Sequence, residues 1–485
     1  MGDGVPVPLF GTDGIRGVVN RQLTPALAAA AGQALAAYLR AQGAGGAVTG
    51  AAAAPAGAAG PSGGAAAAVE VLVGRDTRRS GDMLQAALEA GLCAAGGEAV
   101  DVGVLPTPAL AWLAARRRRA AVMISASHNP PEYNGIKVLG ADGMKLPDDV
   151  EAALEASIRS ALDGGASGEA GRLLVDALAV GRRRAEPDAA AAYLDYLRQR
   201  LPAGLERMRV VLDCAHGAAY RLAPALFEAA GARVTVINAE PDGLNINRDC
   251  GATDPRALAQ KVVREGADLG FAFDGDADRC IAVDERGQVV DGDAILAVTA
   301  LDRHRRGSLA GPAVVATVMS NLGLERALAR EGIALHRTRV GDRYVLQELL
   351  ARGLAVGGEQ SGHVIFLDAG QTTGDGLLTA VEVVNAVLRA GRPLSELAAV
   401  VERLPQQSRS VPAPDPGRLL EAPAVQAAVD AARERLGRSG RIVVRASGTE
   451  PLARVMVEAE DAALLEQVLG DVVAALEQEA RRARP

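Results

Sequence analysis

The sequence predicts several α/β domains in one chain, from its length and from a recurring strand–turn–helix order. At 485 residues it is too long for one ordinary domain, so three or four are expected. Apolar, β-branched runs at residues 71–74, 210–213 and 314–318 are followed by helical segments at 81–95, 222–230 and 323–331. Residues 25–39 read as an apolar helix, capped by Thr24 with Pro25 at its first position. It is too short to cross a bilayer. Boundaries are placed near Val180, Ala300 and Leu404, giving units 1–180, 181–300, 301–404 and 405–485. The last unit begins in a stretch with Pro405, Pro412, Pro414 and Pro416. Residues 43–68 are almost all Ala and Gly and read as a floppy surface insertion.

Composition excludes some classes. The net charge is −7, from 52 basic and 59 acidic residues, which argues against a broad nucleic-acid surface. The run Arg116–Arg119 follows a helical pattern at 109–115 and fits a helix C-terminus, where positive charge is favoured. An acidic total does not forbid an anionic substrate, because local arginines and a metal set the field inside a cleft. Four widely spaced cysteines, without a C-x-x-C pair, suggest a reducing compartment and no structural zinc. No signal peptide is evident, and Pro6 breaks a myristoylation motif. A cytoplasmic protein without membrane attachment is expected.

The densest chemical signal is Asp274-Gly275-Asp276-Ala277-Asp278-Arg279, after the apolar run 269–273. If the three carboxylates converge to about 4 Å, each pair costs roughly 4 kcal/mol at a dielectric near 20. A cation between them removes that cost, and hard carboxylate oxygens suit Mg²⁺ best. A calcium loop of EF-hand type also begins D-x-D-x-D, with Glu285 at its twelfth place. Arg279 stands where that loop needs Gly, and the short apolar flanks read as strands rather than helices. A polar turn without metal is the third reading.

Ser125-Ala126-Ser127-His128-Asn129-Pro130 follows a strand-like run at 121–124. Pro130 disfavours helix at Asn129, so Ser127 and His128 lie on a loop. It is not a G-x-S-x-G elbow; by itself it reads as a turn, and near a metal loop its hydroxyl can hold a phosphoryl group. Downstream lies Asn134-Gly135-Ile136-Lys137. The chain has only Lys137, Lys145 and Lys261 among many arginines. A lysine kept here suggests proton chemistry that Arg cannot perform, with a plain surface lysine as the alternative.

Gly357-Gly358-Glu359-Gln360-Ser361-Gly362-His363 offers donors and acceptors suited to sugar hydroxyls, or is an ordinary hairpin loop. Arg445-Ala446-Ser447-Gly448-Thr449-Glu450-Pro451 follows a strand at 442–444, with Arg454 beyond. Such a turn can aim N–H groups and hydroxyls at an anion, and the two arginines add forked hydrogen bonds.

At these residues the chain resembles the α-D-phosphohexomutase superfamily. The four segments occur in that family's order: serine loop, metal loop, sugar loop, phosphate loop. Phe10-Gly11-Thr12-Asp13-Gly14-Ile15-Arg16-Gly17 is a fifth match. Gln360, the N-terminal match and Val340-Gly341-Asp342-Arg343-Tyr344-Val345 are similar to the branch that acts on glucosamine phosphates. The branch acting on mannose and glucose phosphates more often carries another residue at the place of Gln360.

The resemblance implies three similar α/β domains plus a smaller C-terminal α+β domain around a central cleft. It implies that Ser127 is phosphorylated and completes a set of Mg²⁺ ligands with Asp274, Asp276 and Asp278, one ion per chain. Lys137 and His363 match candidates for proton transfer. Arg16 matches a contact of the serine loop, and Arg279 lies beside the metal. Glu359, Ser361 and His363 match sugar contacts. Arg445, Ser447, Gly448, Thr449 and Arg454 match the site of the phosphate that is not reacting. The implied partner is a small sugar phosphate; oligomeric state, a homodimer included, is left open. A Mg²⁺-dependent phosphohydrolase and a non-catalytic sugar-phosphate sensor are the rival classes.

Overall fold

A computed structural model describes residues 8–11, 13–42, 69–163, 173–447 and 451–482. The insertion expected at 43–68, Thr12, and the candidates Gly448 and Thr449 lie outside the described residues.

Four sheets follow one another along the chain. The first has seven strands in the order Phe10–Gly11, Gly14–Val18, Tyr133–Leu139, Ala120–Ile124, Val69–Arg75, Gly97–Val104, Arg183–Ala185. Its central strands are parallel, and Tyr133–Leu139 joins antiparallel to Ala120–Ile124. The second has five strands: Arg209–Asp213 pairs parallel with Leu269–Phe273, which pairs antiparallel with Cys280–Asp284. The third repeats the plan with four strands. The fourth is a three-stranded antiparallel sheet of Gln406–Pro412, Leu452–Ala459 and Gly440–Ala446, covered by Pro423–Leu436 and Ala462–Arg482. The expected α/β units and the different C-terminal unit are therefore present.

Local signals explain the elements. Thr24 Oγ1 accepts the Leu27 N–H at 3.2 Å, and Pro25 opens the helix Pro25–Ala41 as expected. Arg116 and Arg117 sit in the last turn of Thr107–Arg117, which ends at Arg118 in a left-handed conformation (φ 52°). The strands on either side of the aspartate loop are fully buried, which is why they read as continuous apolar runs rather than alternating ones.

Two junctions differ from the expected ones. Residues 183–185 add a strand to the first sheet, by pairing with Gly97–Val104, so that unit extends past Val180. Ala300 lies inside the helix Gly292–Arg305, whose cap is Asp291. The physical reason is the same in both cases: pairing and helix continuity bind these residues to neighbours that composition does not reveal.

One hydrophobic core runs through the first three units, joining Leu110, Tyr193, Phe227, Phe271, Ile295, Val314, Phe366 and Leu377. The fourth unit has its own core around Val425, Val455, Val457, Leu465 and Val472. It docks on the third unit through polar contacts. Arg441 donates to Ser320 O at 2.5 Å, Leu322 N–H to Glu458 Oε2 at 3.2 Å, and Asn321 Nδ2 to Gln406 Oε1 at 3.2 Å. Among the described residues no helix is long and apolar enough to cross a membrane.

Candidate functional site

The serine and aspartate loops both leave the carboxyl ends of parallel strands, where open α/β sheets place their ligands. Ser127 sits in a left-handed conformation (φ 51°), which turns its side chain toward the second unit. Its Oγ donates to Asp274 Oδ2 at 2.7 Å. Carboxylate oxygens of Asp274, Asp276 and Asp278 lie within 4.8 Å of one another, and all three residues are buried. Asp276 Oδ1 and Asp278 Oδ1 are buried without a hydrogen-bond partner. Burial and the two neighbouring aspartates push Asp274 well above the usual carboxylate range. Converging oxygens with unfilled lone pairs fit a divalent cation, and the strands on both sides of the loop, where an EF-hand has helices, disfavour that reading.

Lys137 lies on the strand Tyr133–Leu139 and is 3% exposed, so it is no surface lysine. Its Nζ is 2.9 Å from Asp276 Oδ2 and 3.1 Å from Asp13 Oδ2. Burial favours the neutral amine, yet Asp13, Asp276 and Asp278 outweigh it and hold Lys137 above its ordinary value. In this arrangement Lys137 is an ammonium, which gives hydrogen bonds and does not accept them. Asp276, held down to about 2, is also bonded by Thr107 Oγ1 at 2.6 Å.

The loop at 359–363 packs onto the aspartate loop. Arg279 and His363 form a bridge between the backbones, and Cys280 N–H donates to Gly362 O at 3.0 Å. His363 is buried, and its Nε2 accepts the Gly374 N–H at 3.1 Å, which leaves the ring proton on Nδ1. Glu359 Oε1 accepts the Gly341 N–H at 3.1 Å, and Ser361 is exposed. Arg279 contributes its own N–H to Asp274 Oδ1 at 3.2 Å. Arg16 pairs with Asp13, beside Lys137.

Arg445 and Arg454 face each other across the antiparallel strands of the fourth sheet. Burial and the neighbouring charge of Arg454 lower Arg445. Ser447 N–H donates to Leu452 O at 2.8 Å, which closes the start of the turn.

Sequence reasoning missed the support beneath the serine. Arg78 is 2% exposed and donates to four carbonyls of the serine loop: Ser127 O (2.8 Å), Asn129 O (2.7 Å), Pro130 O (2.5 Å) and Tyr133 O (2.9 Å). Asp76 Oδ2 accepts from Arg78 Nε at 2.9 Å and from Ser125 Oγ at 2.7 Å. The signal was present: Arg75-Asp76-Thr77-Arg78 follows a strand, at the end where sites form. Asp13 and His128 were also not singled out as working groups. Burial, with Arg279 and Arg16 nearby, takes His128 down to about 4, so its ring is neutral at pH 7.

Family models for phosphoglucomutase/phosphomannomutase match all four units. The alpha/beta/alpha domains I, II and III match residues 7–163, 191–287 and 291–404, and the C-terminal domain matches 410–475. A phosphoglucosamine mutase of Moorella thermoacetica is 49% identical over 95% of this chain and 97% of its own length. One of Rhodococcus opacus is 49% identical over 93% and 95%. A solved phosphoglucomutase/phosphomannomutase family protein of Burkholderia thailandensis superposes with a TM-score of 0.77 at 27% identity, covering 96% of this chain and 97% of that one. With nearly half of its residues shared over nearly full length, the chain belongs to the phosphoglucosamine mutase family of the α-D-phosphohexomutases.

Proposed function

We propose that the chain interconverts glucosamine 6-phosphate and glucosamine 1-phosphate through a phosphorylated Ser127 and a sugar bisphosphate. The observation that carries this reading is the 2.7 Å hydrogen bond from Ser127 Oγ to Asp274 inside a ring of three buried carboxylates. The product is a precursor for amino-sugar nucleotides and cell-wall material.

Asp274, Asp276, Asp278 and a phosphoserine oxygen are the ligands we assign to one Mg²⁺. When bound, Mg²⁺ neutralises charge on the phosphoryl group and orients it. Arg78 and Asp76 fix the serine loop, so that Ser127 Oγ holds one position through both transfers. In the first transfer the bond from Ser127 Oγ to phosphorus breaks and the sugar C1 hydroxyl takes the phosphoryl group. After the bisphosphate reorients, its 6-phosphoryl group returns to Ser127. The hydroxyl proton must finally reach the oxygen that loses phosphorus, and Lys137 and His363 are the groups beside the centre that can carry it. As an ammonium, Lys137 gives its proton to the oxygen that loses phosphorus and, as the amine so formed, takes the proton of the attacking hydroxyl. Glu359 and Ser361 contact the sugar. Arg445 and Arg454 hold the other phosphate, and the fourth unit, with its separate core, closes over the intermediate.

The test is mutase activity with Mg²⁺ on glucosamine, glucose and mannose 6-phosphates, with mass spectrometry of Ser127. A phosphate on Ser127 and a large preference for the amino sugar are expected. A preference for glucose or mannose phosphates moves the chain to the phosphomannomutase/phosphoglucomutase type of specificity. Release of inorganic phosphate without isomerisation defeats the mutase reading.

A further inference from the structure

Residues 340–345 border the reacting centre, with Asp342 Oδ2 3.7 Å from His363 Nε2, and tie two of its walls together. Asp342 and Arg343 open the helix Asp342–Arg352 of the third unit. Both oxygens of Asp342 accept from Lys145 Nζ of the first unit, at 2.9 and 2.7 Å. Lys145 Nζ is also 2.6 Å from Asp13 Oδ1, and Asp13 in turn reaches Lys137. Arg343 donates to Leu146 O at 2.6 Å and pairs with Asp148 and, at 3.4 Å, with Glu151. All three of those partners belong to the first unit. Gly341 has φ 130°, outside the helix, and its N–H donates to Glu359 at 3.1 Å. The segment that grips the first unit thus also holds the carboxylate assigned to the sugar. The same seam borders a cavity of about 210 Å³ lined by Asp13, Lys137, Asp278 and Lys145 as well as Leu139 and Leu346, so it opens onto the reacting centre. Across this cleft, polar bonds join the two units.

We propose that Lys145, Asp342 and Arg343 are positioning residues: a latch that fixes the third unit against the first and, through the Gly341 N–H, aims Glu359 at the sugar. This rests on the mutase reading above. A bland role for Asp342 exists, as an acidic group favoured in a helix's first turn. That role needs no Lys145 from another unit, and it affects stability rather than substrate affinity.

The experiment is steady-state mutase kinetics on the full-length chain with glucosamine 6-phosphate, together with thermal unfolding. The variants are Lys145→Met, Asp342→Asn and Arg343→Met, each alone and combined with Glu359→Gln. Arg343→Met leaves the Asp13–Lys145–Asp342 charges in place, so it tests the latch even if the other two fold poorly. Arg343→Met should raise KM about tenfold with kcat within about threefold of wild type, and Lys145→Met and Asp342→Asn, which also neighbour Asp13 and His363, should raise KM by a similar factor. In the Glu359→Gln background the same changes should add less than about threefold, because the group they aim is already altered. Lys145→Arg should recover much of the loss. Full additivity with Glu359→Gln, or a lower Tm with unchanged KM, overturns the latch while the mutase reading stands. A wild-type chain that turns over no amino-sugar phosphate overturns that reading instead, and the latch falls with it.

Discussion

The serine–aspartate centre and the Arg445–Arg454 pair are built on opposite plans. The first gathers Asp13, Asp76, Arg78, Ser127 and Lys137 from one unit and Asp274, Asp276 and Asp278 from the next, all but Asp13 buried. The second comes from one antiparallel hairpin, where register alone puts two half-buried arginines side by side. A bond-breaking site needs fixed atoms, and buried ion pairs hold them because breaking one leaves an uncompensated charge. A site that only grips a phosphate end must release it when the substrate turns round. Partly solvated arginines on a unit with its own core suit that task.

The comparison can be broken most directly at the serine. Ser127→Ala should lower kcat by about a thousandfold or more, since among the described residues no other hydroxyl bonds to Asp274. Retained turnover in a coupled mutase assay would sink the phosphoserine mechanism.

Arg78→Leu should cost about 3–5 kcal/mol of stability by stranding Asp76 and four carbonyls in a buried site. Chemical denaturation measures this, and a loss below about 1 kcal/mol would mean the serine loop does not depend on that clamp.

Arg454→Ala should act on binding. Losing charge-assisted bonds worth about 1.5–3 kcal/mol should cut kcat/KM by roughly 10- to 100-fold, mainly through KM, with little change in Tm. An unchanged KM would remove the arginine pair from the substrate.

The smallest effect concerns the joint under the fourth unit. Asp293 accepts the Asn321 N–H at 2.8 Å, and burial, with Asp291 nearby, raises it to about 7. The folded state therefore holds a proton on Asp293 that the unfolded chain has lost, over the window from about 4 to 7. Stability through this group falls as pH rises across that window. Asp293→Asn should gain about 1–2 kcal/mol on wild type between pH 5.5 and 7.5. A difference that stays constant with pH would show that Asp293 does not titrate there.

The motifs legible in the sequence are those whose residues are contiguous. Asp274 to Asp278 alternate along one loop, and their mutual repulsion can be argued from spacing alone. Ser127 and Glu359–His363 follow strands whose apolar runs mark where loops begin. Arg78 was harder to see, because its partners are backbone carbonyls about fifty residues away, and carbonyls carry no sequence label; Asp76 accepts from that arginine and from the distant Ser125 hydroxyl. The charge of Lys137 depends on the same kind of distant partner. Burial by itself argues for a neutral amine, and only the placement of Asp13 and Asp276 reverses the sign.

The sequence by itself determined the unit count, the strand–helix order, the chemistry of each loop and, through its motifs, the family. Local patterning sets these, since periodicity, caps and side-chain types act over a few residues. The tertiary structure decided which loops meet, which charges are paired and where one unit ends and the next begins. Those depend on through-space distances, and Coulomb energies and hydrogen bonds respond to distance rather than to separation along the chain.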